Sequence, residues 1–298
     1  MPKVDEVRVR APAKVNLILK VLGRLPNGYH EVWSVMQSVN LFDLLSLRRG
    51  FSPNDIRLTC DTAAVPLGKD NIVYRATELV LKKASIDEGV EVHLEKQIPM
   101  GAGLGGGSSD AAATIFGLVQ LFQLQWSISE MAALGATLGS DVPFFFSMPQ
   151  ALIRGWGQEV VPLTVTGTQW ILLVKPEFPI ETGWAYQQLA KSRSLVPTLS
   201  KDLQGIERGE VLDFDDILPL MENDFEPVLF PEISRLGELK AQILSLGSEV
   251  ALLSGSGSTI FGVFAQEETA LKAMEVIAGD STMQVFCVST GSRGFALT

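Results

Sequence analysis

Pro99-Met100-Gly101-Ala102-Gly103-Leu104-Gly105-Gly106-Gly107-Ser108-Ser109-Asp110 decides how this chain is read. Five of these twelve residues are glycine, and Ala111-Ala112-Ala113-Thr114 follows at once as a helix start. Glycine leaves backbone N–H groups uncovered, and a helix N-terminus adds partial positive charge. Together they suit a phosphate. A flexible linker or plain turn is the competing explanation, but linkers rarely lead straight into an alanine-rich helix.

Three lookalikes fail on particular residues. Gly101 to Gly106 fits G-x-G-x-x-G, yet Val90, Val92 and Leu94 alternate with Glu91, His93 and Glu95 before it. A dinucleotide fold has a continuously apolar strand there and an acid about twenty residues on, whereas Ala111 to Ser129 holds none. A Walker loop ends in Gly-Lys-Ser/Thr, where this chain has Gly107-Ser108-Ser109. No Val-Ala-Ile-Lys strand of a protein kinase follows. The loop carries no lysine, so a cation for the transferred phosphate must come from elsewhere.

Lys14 is that candidate. In Ala11-Pro12-Ala13-Lys14-Val15-Asn16-Leu17, Lys14 and Asn16 are two apart. On a strand they share one face while Val15 and Leu17 take the other. The face is either an ordinary solvated one or a polar surface for a substrate. Pro26-Asn27-Gly28 reads as a turn leading to Tyr29-His30. Trp33 to Leu47 reads as a strand, Asn71 to Ala84 as a helix, and Ala111 to Ser129 as a buried helix. Ser127-Ile128-Ser129-Glu130 is a capping box that starts another helix ending near Gly139. Asp141, before Pro143 and three phenylalanines, is either a helix cap or a carboxylate in apolar surroundings.

Beyond about Val161 the pattern changes. Strands are expected at Trp170–Val174, Val250–Leu253, Ile260–Phe264 and Gln284–Val288, with helices at Pro231–Leu246 and Glu267–Ala278. The order predicts an α+β unit with an antiparallel sheet. Ser192 to Asp216 reads as a polar, irregular surface excursion.

The quoted glycine run resembles the ATP-binding motif of the GHMP kinase superfamily, the group of galactokinase, homoserine kinase and mevalonate kinase. Pro12 to Leu17 with Gly28-Tyr29-His30, Gly139-Ser140-Asp141-Val142-Pro143, Asn223-Asp224-Phe225-Glu226 and Leu253-Ser254-Gly255-Ser256-Gly257 resemble further motifs of one branch. That branch phosphorylates a cytidine diphosphate-linked sugar alcohol in isoprenoid precursor synthesis. Ser140 stands where alanine is commoner. The resemblance implies an α+β two-domain fold. Residues 1–163 would form the N-terminal ATP-binding and catalytic domain, of ribosomal-protein-S5-domain-2-like type. Residues 164–298 would form a ferredoxin-like domain.

It also implies roles for particular residues. Lys14 and Asp141 form the catalytic pair. Pro99, Met100, Gly101, Ala102, Gly103, Leu104, Gly105, Gly106, Gly107, Ser108 and Ser109 hold ATP. Tyr29 and His30 recognise the cytosine, Tyr186 is the second aromatic, and Asn16 joins them in the substrate site. Mg²⁺ would bridge the phosphates, with Ser108 or Ser109 the nearest side-chain candidates and no metal ligand assigned.

Composition narrows the partners. The chain has 298 residues, 46% hydrophobic, and a formal net charge of −10. The charge opposes nucleic acid, although the implied N-terminal fold class also occurs in RNA-binding proteins. Two distant cysteines and two histidines oppose a zinc site and fit a reducing, cytoplasmic setting. Met1 to Arg10 lacks the apolar core of a signal peptide, and no stretch reads as a membrane span. A monomer or weak homodimer is expected.

Overall fold

The computed structural model describes residues 4–26, 28–50, 52–53, 55–193, 198–208, 211–291 and 294–297. The chain begins β1 (Glu6–Arg24), β2 (His30–Gly50), β3 (Ile56–Cys60), α1 (Ile72–Ala84), β4 (Gly89–Glu95), α2 (Gly106–Leu121) and α3 (Ile128–Ala136). A 3₁₀ turn over Val142–Phe146, then β5 (Gln150–Arg154), β6 (Glu159–Pro162) and β7 (Val165–Thr166), follow. Next come β8 (Trp170–Pro176), α4 (Thr182–Ser192), α5 (Lys201–Ile206), β9 (Leu212–Asp213), α6 (Phe214–Ile217), β10 (Glu222–Asn223) and α7 (Glu226–Leu229). The rest is α8 (Ser234–Ser245), β11 (Val250–Leu253), β12 (Ile260–Phe264), α9 (Glu267–Ala278), β13 (Met283–Ser289) and β14 (Ala296–Leu297).

β1 and β2 form one long antiparallel pair from Glu6↔Arg48 to Arg24↔His30. Asn27, in the turn expected between them, lies outside the described residues. The register shifts between Pro12 and Ala13, where proline offers no N–H to the ladder. The shift has a packing consequence. Val7, Val9 and Ala11 pack beneath α2 with Ala111, Ile115 and Leu118. Ala13, Val15 and Leu17 pack with Ile171, Leu173 and Phe261 of the second half. One strand therefore crosses from one core to the other, and residues 11–19 are buried on both faces.

The second sheet has the order β11-β12-β8-β13, with every neighbouring pair antiparallel, as the strand–helix order predicted. Leu236, Leu239 and Ile243 of α8 and Ala270, Ala273 and Ile277 of α9 bury their stripes against it. The α3 capping box is present, with Ser127 Oγ accepting from Glu130 N–H and Glu130 accepting from Ser127 N–H.

Two sequence expectations need correction. The glycine-loop helix ends at Leu121, not Ser129, because Gln123 turns to φ 54°. The described part of 192–216 is not a surface excursion. Leu203, Ile206 and Phe214 are buried in the core shared with β1 and β8. Their apolar positions are spaced too sparsely among acidic residues to announce a core segment. Among the described residues, no helix is long and apolar enough to cross a membrane.

Candidate active site

The glycine run forms a helix start five residues earlier than the alanines suggest. α2 begins at Gly106, and Ser109 N–H donates to Gly105 O at 2.9 Å as its first turn closes. Gly105 caps the helix with φ 69° and has no side chain to satisfy the first N–H groups. Those donors are left for an anion. A Cβ at Gly105 would also stand 2.8 Å from Lys14 Cγ, so the glycine lets the loop lie on the lysine stem.

Gly103 is the second position where only glycine fits. Its φ is 75°, and a Cβ would come 2.0 Å from the Ser254 carbonyl oxygen. Ser254 Oγ donates to Gly103 O at 2.9 Å. The serine–glycine segment after β11 thus buttresses the glycine loop from behind. Gly103→Ala is expected to lower the melting temperature by several degrees, the strain being about 1–3 kcal/mol. Gly107→Ala, whose Cβ meets only Ile72 at 3.8 Å, is expected to melt with the wild type in the same scan.

Lys14 and Asn16 do share one face, but that face is not solvated. They are 3% and 1% exposed. Lys14 Nζ donates to Asn16 Oδ1 at 2.7 Å, Asn16 Nδ2 donates to Ser34 Oγ at 2.8 Å, and Ser34 Oγ donates to Ile18 O at 2.6 Å. Lys14 N–H donates to Leu104 O at 2.9 Å, tying β1 to the glycine loop. Burial pushes the Lys14 ammonium's pKa down, and the Asp141 carboxylate works against that. Asp141 Oδ2 lies 3.6 Å from Lys14 Nζ, with its carboxylate 30% exposed to the cleft. It stands at the N-terminus of the 3₁₀ turn but makes no side-chain cap bond. Its oxygens are therefore turned to the cleft rather than spent on the backbone.

The aromatic residues sit at one end of a cleft of about 820 Å³ that both halves of the chain line. The His30 and Tyr186 rings stack at 4.3 Å and 16°. Tyr186 also meets Phe225 edge-on at 4.9 Å. Burial, and then the charge of Asp141, push the Tyr186 hydroxyl's pKa upward, so it is a neutral donor. Tyr29 pairs instead with Trp156, at 5.3 Å and 38°. Burial and the Arg24 charge push the His30 pKa down.

Asn223-Asp224-Phe225-Glu226 stitches the two halves together behind these rings. Asn223 Nδ2 donates to Leu253 O and Gly255 O at 2.7 and 2.8 Å. Asp224 accepts from Val21 N–H at 2.8 Å and pairs with Lys20 and Arg193, each at 2.8 Å.

Sequence reading missed a buried ionic group under the loop. Lys96 Nζ bonds to Asp43 and, at 2.8 Å, to Asp110. Asp43 also accepts from Gln97 and Ile98 N–H at 2.6 and 2.8 Å, fixing the segment that enters the glycine run. Burial alone would lower the Lys96 pKa, but Asp110 and Asp43 outweigh it and raise it. Burial, then the Asp43 charge, push Asp110 well above the carboxylate range. The available signal was Asp43 itself, a lone charge inside Leu41-Phe42-Asp43-Leu44-Leu45.

Pro99 to Ser108 all line the cleft, whereas Ser109 is fully buried behind it. Placed one residue too far along the helix, the Ser109 hydroxyl does not reach the cleft.

The comparisons with known proteins agree with this geometry. The model of the GHMP kinases N terminal domain matches residues 71–148, and that of the GHMP kinases C terminal matches 203–279. The 4-diphosphocytidyl-2-C-methyl-D-erythritol kinase of Syntrophotalea carbinolica is 40% identical over 282 residues, covering 93% of this chain and 96% of that protein. The enzyme of that name from Geobacter metallireducens is 36% identical, covering 96% and 99%. A crystal structure of 4-(cytidine 5'-diphospho)-2C-methyl-D-erythritol kinase superposes with a TM-score of 0.77 at 32% identity, covering 96% and 100%. Homoserine kinase from Cytophaga hutchinsonii reaches the same TM-score at 21% identity, a likeness of fold alone. With the glycine loop, the lysine–aspartate pair and the aromatic end all in one cleft, the chain belongs to the 4-diphosphocytidyl-2-C-methyl-D-erythritol kinase family of the GHMP kinases.

Proposed function

We propose that this chain transfers the γ-phosphate of ATP to the 2-hydroxyl of 4-diphosphocytidyl-2-C-methyl-D-erythritol, giving the 2-phosphate and ADP. The observation that carries the reading is the position of the Lys14–Asp141 pair, 3.6 Å apart, between the phosphate loop and the aromatic end of one cleft. ATP lies along the glycine run, with its phosphates on the N–H groups of Gly106, Gly107 and Ser108. Val65, Pro66, Ile72 and Leu94 give the cleft an apolar end fit for a purine.

The acceptor's cytosine lies at the end formed by Tyr29, His30 and Tyr186, and its sugar alcohol reaches back past Asn16. Asp141 accepts the hydroxyl proton as the new O–P bond forms and the bond to the β-phosphate oxygen breaks, releasing ADP. Phosphoryl transfer is loose, so holding the hydroxyl in line matters as much as removing its proton. Lys14 offsets negative charge near the transferred group from a fixed position.

Mg²⁺ fits this cleft mainly through ATP oxygens. Among the described residues no cluster of three or more acidic, histidine or cysteine side chains could hold a metal. Ser108 is the hydroxyl of the loop that faces the cleft, and a magnesium ion keeps most of its ligands from water and phosphate. When bound, the ion would neutralise phosphate charge.

An ADP-release assay with the cytidine substrate, homoserine and mevalonate tests the assignment. Turnover with the cytidine substrate alone is expected; turnover with another acceptor instead overturns it. His30→Ala is expected to raise KM for the cytidine substrate about tenfold, the worth of one hydrogen bond or stack, with KM for ATP kept. Because the His30 pKa is lowered, the neutral ring persists below the ordinary histidine range. Acceptor KM is therefore expected to stay flat on acidification through that range and to rise only below it.

A further inference from the structure

Trp156 sits on a turn that touches both ends of the chemistry. Val32 N–H donates to Gly155 O at 2.7 Å, tying the turn to the strand that begins at His30. Trp156 N–H donates to Gln158 Oε1 at 2.7 Å, and Gly157 N–H to Arg154 O at 3.2 Å. Gly157 adopts φ 117°, and a Cβ there would stand 2.6 Å from the carbonyl oxygen of Ser140. The turn therefore presses directly on the residue before Asp141.

The indole itself lines the cleft, half-buried, against the ring of Tyr29. Tyr29 is 57% exposed and leaves the chain next to a turn, so its backbone alone does not fix its ring. The His30 and Tyr186 rings stack on each other at 4.3 Å in the same cleft. The Tyr29–Trp156 pair adds a second aromatic surface to that end.

We propose that Trp156 is a further aromatic wall of the nucleobase end of the cleft, holding Tyr29 over the cleft and setting the affinity for a pyrimidine nucleoside diphosphate. The inference rests on the proposed acceptor. Trp156 is a positioning and binding residue, and it takes no part in proton or phosphoryl transfer. Two glycines flank it because the turn must fold back tightly enough to bring the indole to Tyr29 while clearing Ser140.

The test uses the full chain carrying Trp156→Ala or Trp156→Phe. Trp156→Ala is expected to raise KM for the cytidine substrate about tenfold, the loss of one aromatic stack. Its kcat and its KM for ATP are expected to stay within about twofold. Trp156→Phe is expected to recover most of the loss, since a smaller ring still supports Tyr29. Cytidine 5'-diphosphate is the binding probe. It should quench tryptophan fluorescence in the wild type and lose that quenching in Trp156→Phe, while calorimetry still records binding. An unchanged acceptor KM in Trp156→Ala overturns the proposal. So does an equal rise in both KM values, which would mean the turn had shifted Ser140 and the whole cleft. If the wild type fails to turn over the cytidine substrate, the functional reading falls instead, and the two failures are read from different proteins.

Discussion

Asp141→Asn is expected to cut turnover by about 10²–10⁴-fold, the usual worth of a positioned base. The amide keeps the shape of the carboxylate but cannot take the acceptor's proton. ATP affinity is expected to survive, because Asp141 belongs to the turn after α3 and the nucleotide site proposed above is the loop before α2. Lys14→Met, which keeps the packed stem under Gly105, should lose turnover to a similar extent. The double variant is expected to be little worse than either alone, since the two groups act on one transferred phosphate. Single-turnover kinetics at saturating ATP check this. Near-normal rates in Asp141→Asn would remove it from the chemistry, whatever its distance from Lys14.

Lys96→Met has a different expected outcome, a loss of stability of about 3–5 kcal/mol. The substitution leaves Asp43 and Asp110, 0% and 3% exposed at their side chains, without the cation between them. Asp43 still has two backbone donors, so the segment into the loop keeps part of its anchor. Asp110 retains none of the side-chain partner described for it. Urea unfolding measures the loss, and Asp110→Asn separates its parts. The raised Asp110 pKa means the folded chain binds a proton that the unfolded chain has released. Stability then falls as pH rises from the ordinary aspartate range toward the folded pKa. Asp110→Asn removes this dependence, so its stability relative to wild type should grow with pH over that window. A gap that stays constant with pH would mean Asp110 is ionised in the folded state.

Legibility in the sequence followed the physics of each signal. The glycine run was legible as a loop leading into a helix because loop and helix start are contiguous. Lys14 was found by subtraction, through the loop's missing lysine, and Asp141 through the motif around it. β4, α1, α3 and the antiparallel second sheet followed from periodicity and caps, which are local. Burial of Lys14 and Asn16 was not local. It depends on Gly105 and Gly255 folding over them from positions far along the chain. Lys96 was illegible for the same reason, since Asp43, Lys96 and Asp110 belong to three separate elements. The 192–216 stretch misled because its acidic residues dominate its composition, while Leu203, Ile206 and Phe214 make its contacts. Trp156 carried a weak signal in its two flanking glycines, but its partner Tyr29 is more than a hundred residues earlier.

The strand that carries Lys14 has β2 along one edge. Its other edge is closed in two places, by Glu222–Asn223 at Ile18 and Leu19 and by Ala296–Leu297 at Val9 and Arg10. Both of these pairings join β1 to segments in the far half of the sequence. Until Glu222–Asn223 docks, the edge at Ile18 and Leu19 stays unpaired beside apolar Val15 and Leu17. Native pairing there has very high sequence separation, the kind that slows folding. Lys14, next to that edge, is thus fixed in place only once a distant segment has paired.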